Sequence, residues 1–360
     1  MSSLRDWLRQ ALQEVERIPE IHGERCVHAL VETAQCSACV DTCPRDAWSL
    51  DDEHLALDAE RCDGCHLCVA ACPEGAIHYS GLPMLRQDGQ KKIAAYACAE
   101  APVHTGEGRI GCLHAIGVAT LIAHYTSGIQ TLLTCSADCR QCERNSDDGL
   151  PERLLGLNAL LASRGLPTMN RQALQASEWG RMARIGAEPE PAPSMNRRQF
   201  FRLGTATLIA EAEPVLDPTQ SMPDPAQTQR RLPAWTPGQL AAFCVQIDAA
   251  ACNACGACVR LCPHQALVDA GIDNPAEPGY RIDPDGCTGC GICLDVCDRQ
   301  AVSVKAWSVP ETTFVALRRK KCRSCGAPFA VPWTQAEDQT LCNICRQVAH
   351  SRLLYQVFDQ

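Results

Sequence analysis

The stretch Cys252–Leu267, "CNACGACVRLCPHQAL", sets four cysteines at the interval C-x2-C-x2-C-x3-C. The same phrase returns as "CTGCGICLDVCDRQAV" at Cys287–Val302 and as "CDGCHLCVAACPEGAI" at Cys62–Ile77. A fourth copy, "CSACVDTCPRDAW" at Cys36–Trp48, has Thr33 where the first cysteine belongs. Self-similarity of this kind marks a repeated structural unit. Disulfides have no need of a constant short interval, so the 26 cysteines of this 360-residue chain read as metal ligands rather than cross-links.

The interval itself has a physical reason. An iron–sulfur cubane needs four thiolates at tetrahedral corners, and a short looping run can wrap three of its irons. The chain then leaves as a helix that carries the fourth cysteine to a neighbouring cubane. Gly64, Gly256, Gly289 and Gly291 lie in these loops, where a missing Cβ permits unusual backbone angles and close approach to sulfur.

On these motifs the chain resembles the bacterial-type ferredoxin family, over roughly residues 24–80 and 244–305. The resemblance implies an α+β architecture with two ferredoxin-like modules, 24–85 and 244–310, each a pseudo-twofold βαβ–βαβ fold holding two [4Fe-4S] clusters, four in all. It also implies crossed fourth ligands. One C-terminal set is Cys252, Cys255, Cys258 and Cys297, and the other is Cys287, Cys290, Cys293 and Cys262. At the N-terminal end Cys62, Cys65, Cys68 and Cys43 form one set, and Cys36, Cys39 and Cys72 belong to the second. Two readings of that second set stand. Either Cys26 reaches in through a longer loop, or the site holds a three-iron or labile cluster and Cys26 is an ordinary buried thiol.

Two further modules are expected. In 315–360, Cys322, Cys325, Cys342 and Cys345 form C-x2-C, sixteen residues, C-x2-C, the pattern of a structural zinc ribbon. Rubredoxin has similar knuckles for iron, usually with Gly after both, whereas here Gly326 follows the first and Arg346 the second. In 90–182, a strand ending at Cys98, a helix after Cys112 and a strand running into Cys135, Cys139 and Cys142 read as a small α/β domain. Such folds keep their sites at one rim of a parallel sheet. This order resembles the delta iron–sulfur subunit of methyl-viologen-reducing hydrogenases, which implies a [2Fe-2S] cluster, although five thiols compete for four places. An α/β domain with partly buried thiols is the other reading. His104, His114 and His124 lack ligand-like spacing and read as surface or core histidines.

Residues 183–243 are rich in proline and read as a linker. Inside it "MNRRQFFRLGTATLIA", Met195–Ala210, resembles a twin-arginine export signal, but its apolar run is short and closed by Glu211 and Glu213. Its internal position favours a docking helix. Residues 1–23 read as an amphipathic helix through Leu4, Trp7, Leu8, Ala11, Leu12 and Val15. The net charge of −9 gives no general attraction to nucleic acid, no run is long enough to span a membrane, and a cytoplasmic location is expected. There is no phosphate-cradling loop, no nicotinamide fingerprint and no catalytic triad pattern, so no small-molecule substrate is expected. The expected function is electron transfer to or from an oxidoreductase of formate dehydrogenase or hydrogenase type. The alternative is an accessory factor in the maturation of a molybdenum or iron–sulfur enzyme, as the nitrate-reductase-type ferredoxins resemble it.

Overall fold

The computed structural model describes residues 18–50, 55–79, 81–89, 91–103, 107–144, 149–185, 225–273 and 276–351. Most of the expected N-terminal helix, all of the twin-arginine stretch and His104 lie outside them.

Both ferredoxin modules have the same plan. A first strand pairs antiparallel with a last one: Glu20–Ile21 with Ile77–His78, and Ala241–Ile247 with Val302–Ser308. A central hairpin pairs Trp48–Leu50 with Leu55–Leu57, and Leu267–Asp269 with Gly279–Ile282. The N-terminal module therefore starts at Glu20, inside the segment 1–23 expected to be helix. Among the one-turn helices between the strands, four correspond between the modules' motifs: Ala38–Asp41, Leu67–Ala71, Ala257–Arg260 and Ile292–Asp295. Each carries the third cysteine of its motif and delivers the fourth just beyond its end.

The middle segment forms a five-stranded sheet: β1 (Met84–Asp88), β2 (Lys91–Cys98), β3 (Ile129–Cys135) and β4 (Asn170–Ala173), with the short strand Arg109–Ile110 paired parallel to the end of β2. The order is β1-β2-β3-β4, with β1 antiparallel to β2 and the β2-β3-β4 pairings parallel. Parallel neighbours require crossovers, and these are α1 (Val118–Thr126) and α2 (Leu150–Ser163). Leu150, Leu154, Leu157 and Leu161 of α2 recur at helical spacing on one face and are buried with Leu132 of β3 and Leu121 of α1. Leu155, off that stripe, is exposed.

This domain is continuous with the C-terminal module. Its core takes in Ala242, and Phe243 and Trp307 pack against it. A Cβ on Gly156 of α2 would fall 2.3 Å from the Trp307 ring, so the helix meets the indole only because that residue is glycine. Just past α2, Arg164 donates to Asp285 Oδ1 at 2.7 Å and to the carbonyls of Pro233 (2.6 Å) and Leu240 (3.3 Å).

Two expectations about boundaries change. The end of the proline-rich segment is packed rather than free: Thr228, Gln229 and Leu232 are buried. Gln229 Nε2 donates to the Cys287 carbonyl at 3.0 Å, and the Trp235 N–H donates to Asp285 Oδ2 at 2.7 Å. The segment enters the described structure as a short helix, Pro225–Gln229, and its polar side chains then satisfy the carbonyls of a cysteine loop. The C-terminal segment expected to be a ribbon is likewise not a separate body. Its Phe314–Lys321 strand pairs with Gly279–Ile282 of the ferredoxin module, and Pro328–Pro332 pairs beyond it. Among the described residues no helix is long and apolar enough to cross a membrane.

The Arg164 side chain is 2% exposed and that of Asp285 12%. Removing one partner of a buried pair leaves an uncompensated charge, at about 3–5 kcal/mol. Arg164→Met is expected to lower the denaturation midpoint of the anaerobic protein clearly, whereas Lys305→Ala, which opens an exposed pair with Glu311, leaves it nearly unchanged. Equal midpoints for the two variants would contradict this account.

Candidate metal centres

The backbone of the cysteine loops is built to one template. Within each full motif the residues two and four after the first cysteine have positive φ: Gly64 and His66, Ala254 and Gly256, Gly289 and Gly291. The residue three after the fourth cysteine does so in all four copies, at Asp46, Gly75, Gln265 and Gln300. Left-handed residues reverse the chain locally, so that successive thiols and N–H groups turn to the same side. His66 adopts this conformation with its ring stacked on Tyr79, the centroids 3.4 Å apart.

N–H donors reach the sulfurs from the same turns. Ala47 donates to Cys43 Sγ at 3.4 Å, Ala76 to Cys72 at 3.3 Å and Ala301 to Cys297 at 3.3 Å. Ala254 donates to Cys252 Sγ at 3.3 Å. Such bonds stabilise thiolate and tune a centre held by it.

Burial opposes thiolate. It pushes Cys65, Cys68, Cys258 and Cys290 up to about 12 and Cys287 to about 11. The neighbouring thiols that add to this effect reveal which cysteines stand together. Around Cys68 they are Cys65, Cys62 and Cys43. Around Cys258 they are Cys252, Cys255 and Cys297. Around Cys293 they are Cys287, Cys290, Cys258 and Cys262. The structure thus brings together the crossed sets expected from sequence, and it places the two C-terminal sets side by side.

The degenerate copy is also a quartet. Cys39 is pushed up to about 12 by burial, then by Cys72, Cys36 and Cys26. Thr33 is exposed, and Ser37 has φ −120° rather than a left-handed value. The loop is held instead by His28, whose Nε2 lies 2.8 Å from the Cys36 carbonyl. Cys26 comes in from the turn before the Val27–Leu30 helix.

In the middle domain the strand ends place thiols at one rim. Cys98, Cys112, Cys139 and Cys142 line a common cavity with Gly111, His114, Asp138 and Arg144. Burial pushes Cys112 up to about 11, and Cys98, Cys139 and Cys142 raise it further. Cys135 is 2% exposed in the core behind and does not line the cavity. The five competing thiols therefore resolve into four and one. The Asp138 side chain accepts from the Arg140 N–H at 3.1 Å and shapes the Cys139–Cys142 turn. His114 and His124 are structural: His114 Nδ1 faces the Leu150 N–H at 3.1 Å, and His124 Nε2 faces the Tyr96 hydroxyl at 2.8 Å.

The fit of each set to a metal group follows from its spacing. Cys322, Cys325, Cys342 and Cys345 have all four sulfurs within 4.8 Å of one another, the one such group among the described residues. A tetrahedral ion with bonds of about 2.3 Å needs sulfurs about 3.8 Å apart, and Cys325 and Cys342 are 3.9 Å apart. N–H donors from Cys342 and Cys325 draw Cys322 down to about 6. This set fits a single ion. The other quartets stand around wider spaces, three of them visible as cavities: that of the middle domain, and those lined by Cys43, Cys62, Cys65 and Cys68 and by Cys262, Cys287, Cys290 and Cys293. All-thiol sets of that width fit polynuclear iron–sulfur groups. Sequence reasoning gave no role to Cys244. It is buried on the Ala241–Ile247 strand and near enough to raise the Cys287 thiol, but it does not line the cavity of that set.

Comparison with known proteins agrees with this class of site. Two regions, 33–76 and 251–301, match the 4Fe-4S dicluster domain. The chain is 37% identical over 76 residues to the electron transport protein HydN of Escherichia coli K12, covering 20% of this chain and 43% of that protein. It is 31% identical over 114 residues to hydrogenase-4 component A of the same strain, covering 32% and 47%. It is 42% identical over 64 residues to an uncharacterized ferredoxin of Methanocaldococcus jannaschii, covering 16% and 42%. The chain thus spans less than half the length of these curated relatives.

Cys26→Ser is expected to convert one cubane to a three-iron form, giving a new EPR signal in the oxidised protein. Cys244→Ser is expected to leave iron content and EPR as in the wild type. An unaltered spectrum for Cys26→Ser would remove Cys26 from the site.

Proposed function

We propose that this protein is a multi-centre iron–sulfur carrier that relays electrons to or from a partner oxidoreductase of hydrogenase or formate dehydrogenase type, in the cytoplasm. It would hold four [4Fe-4S] clusters in the sets described, with Cys26 completing the first. A [2Fe-2S] cluster would lie on Cys98, Cys112, Cys139 and Cys142, and one zinc on Cys322, Cys325, Cys342 and Cys345. When bound, the clusters supply one-electron redox chemistry, and the chain's residues supply ligands, N–H donors and exclusion of water.

The observation that carries this reading is that the thiols occur as closed sets of four. A metal group with every outer position taken by thiolate has no place for a substrate, and what remains to it is the gain and loss of electrons. The resemblance of the middle block to the delta subunit of methyl-viologen-reducing hydrogenases, and the names of the relatives, support a partner of that kind. The ribbon serves as a docking and bracing element. Gln335 Nε2 donates to the carbonyls of Ala249, Ala250 and Cys252, and Asn343 Nδ2 donates to that of Asn253. A role in maturing a molybdenum or iron–sulfur enzyme is the second reading, favoured by the segment Arg197-Arg198-Gln199-Phe200-Phe201.

Anaerobically purified protein is expected to carry about eighteen irons and one zinc, and to accept about five electrons per chain. Cys139→Ser is expected to lose the [2Fe-2S] signature, and Cys135→Ser to keep it. An iron content near eight, or loss of signal from Cys135→Ser alone, would overturn the assignment. Co-purification with a mature oxidoreductase supports the carrier, and capture of the immature enzyme alone supports the maturation factor.

A further inference from the structure

The middle site lies directly against the N-terminal module. Cys65, Leu67 and Cys112 form one buried apolar cluster. The two loops that carry these cysteines touch backbone to backbone. A Cβ on Gly111 would fall 1.9 Å from the Gly64 carbonyl oxygen and 2.9 Å from Cys65 Cα. No side chain can occupy that space, so glycine sets the separation of the loops. Farther along, Gly117 lies against Ala70, whose Cα would be 3.3 Å from an added Cβ.

An arginine ties the same two loops. Arg144, two residues after Cys142, donates through Nε to Asp63 Oδ2 at 2.8 Å and through a guanidinium nitrogen to the Asp63 carbonyl at 3.3 Å. Its other nitrogen donates to the Gly111 carbonyl at 3.1 Å. Asp63 in turn accepts the Cys65 N–H on Oδ1 at 3.1 Å. The Arg144 side chain is 12% exposed and that of Asp63 16%. A planar guanidinium reading a carboxylate and two carbonyls fixes distance and orientation together, which a lysine ammonium cannot do.

We propose that the Cys65–Cys112 contact is the internal electron-transfer junction joining the middle site to the ferredoxin modules, and that Gly111 and Arg144 are its positioning residues. The inference rests on the [2Fe-2S] reading of the middle site. The step is the passage of one electron across the contact. One iron on the Cys65 side changes from ferrous to ferric while one on the Cys112 side changes from ferric to ferrous, or the reverse, as the potentials dictate. No bond forms or breaks, and no proton moves.

The test uses the full-length protein, reconstituted anaerobically, with iron counted and EPR recorded after reduction by dithionite. In the wild type the reduced centres are expected to interact, with split or broadened signals and accelerated spin relaxation. Compared with the wild type at equal iron content, Gly111→Val and Arg144→Gln are expected to lose the interaction and slow reoxidation of the middle site by an oxidant added in excess. Arg144→Lys is expected to behave as Arg144→Gln does, because charge alone does not restore the fork. Non-interacting signals in a fully loaded wild type would overturn the junction, as would an undiminished interaction in both Gly111→Val and Arg144→Gln. Cys112→Ser separates the two levels: if it leaves the iron content unchanged, the middle-site reading falls and the junction falls with it.

Discussion

The constraint on which the structure depends is the cost of burying sulfur as thiolate. Burial, with neighbouring thiols or carboxylates, pushes the thiols of these sets up, Cys39, Cys65, Cys68, Cys258 and Cys290 to about 12. Without metal these groups are neutral thiols packed as small hydrophobes. With metal the cation compensates four negative charges at once, and binding free energy becomes folding free energy. The N-terminal module needs that contribution most. Among the described residues one apolar cluster in it is Trp48, Cys68 and Ile77, with cysteines among the half-buried residues packed around them. A core so small is a weak offset to the chain entropy of its loops, so on the proposed reading bound clusters would supply much of the interior.

That constraint explains what was legible in the sequence. Ligand spacing is local, and a motif that must wrap a metal group leaves little freedom, so the quartets and the glycines at Gly64, Gly256, Gly289 and Gly291 could be read directly. The left-handed turns at Asp46, His66, Ala254, Gln265 and Gln300 could not, because the metal loop imposes the backbone angle there on residues that do not advertise it. The register of β3 decides between Cys135 and the pair Cys139 and Cys142. Cys135 still belongs to the strand and is held in the core, whereas Cys139 and Cys142 lie in the turn beyond the rim. Spacing alone offers five thiols without that distinction.

Nonlocal pairing was the part composition could not supply. The ribbon strand Phe314–Lys321 extends the ferredoxin sheet through Gly279–Ala316 and Tyr280–Val315 partners, and nothing short-range in "TTFVALRRKK" announces that partner. The same holds for the end of the proline-rich segment. Its composition describes a chain with little capacity to bury a core, yet Gln229 and Trp235 complete another core's hydrogen bonds. Low capacity to fold alone is not low occupancy in the fold.

The modules are consequently held in fixed relation by groups that belong to neither hydrophobic core. Glu74, two residues past Cys72 and 4% exposed, accepts from Thr288 Oγ1 at 2.7 Å and lies 2.7 Å from His264 Nε2. The Gln35 N–H donates to Asp295 at 2.9 Å on the same side. Buried polar groups are costly unless each finds its partner, and a satisfied set therefore tolerates few alternative arrangements. Glu74 sits after the last ligand of the N-terminal module, and Thr288 lies between Cys287 and Cys290 of the C-terminal one, so the seam registers one ligand loop against the other. The middle domain braces the assembly from two sides, its rim on the Cys62–Cys65 loop and α2 on Trp307. On the proposed reading of an electron carrier, the distances between centres would be the functional variable, and these contacts place them under the control of individual side chains.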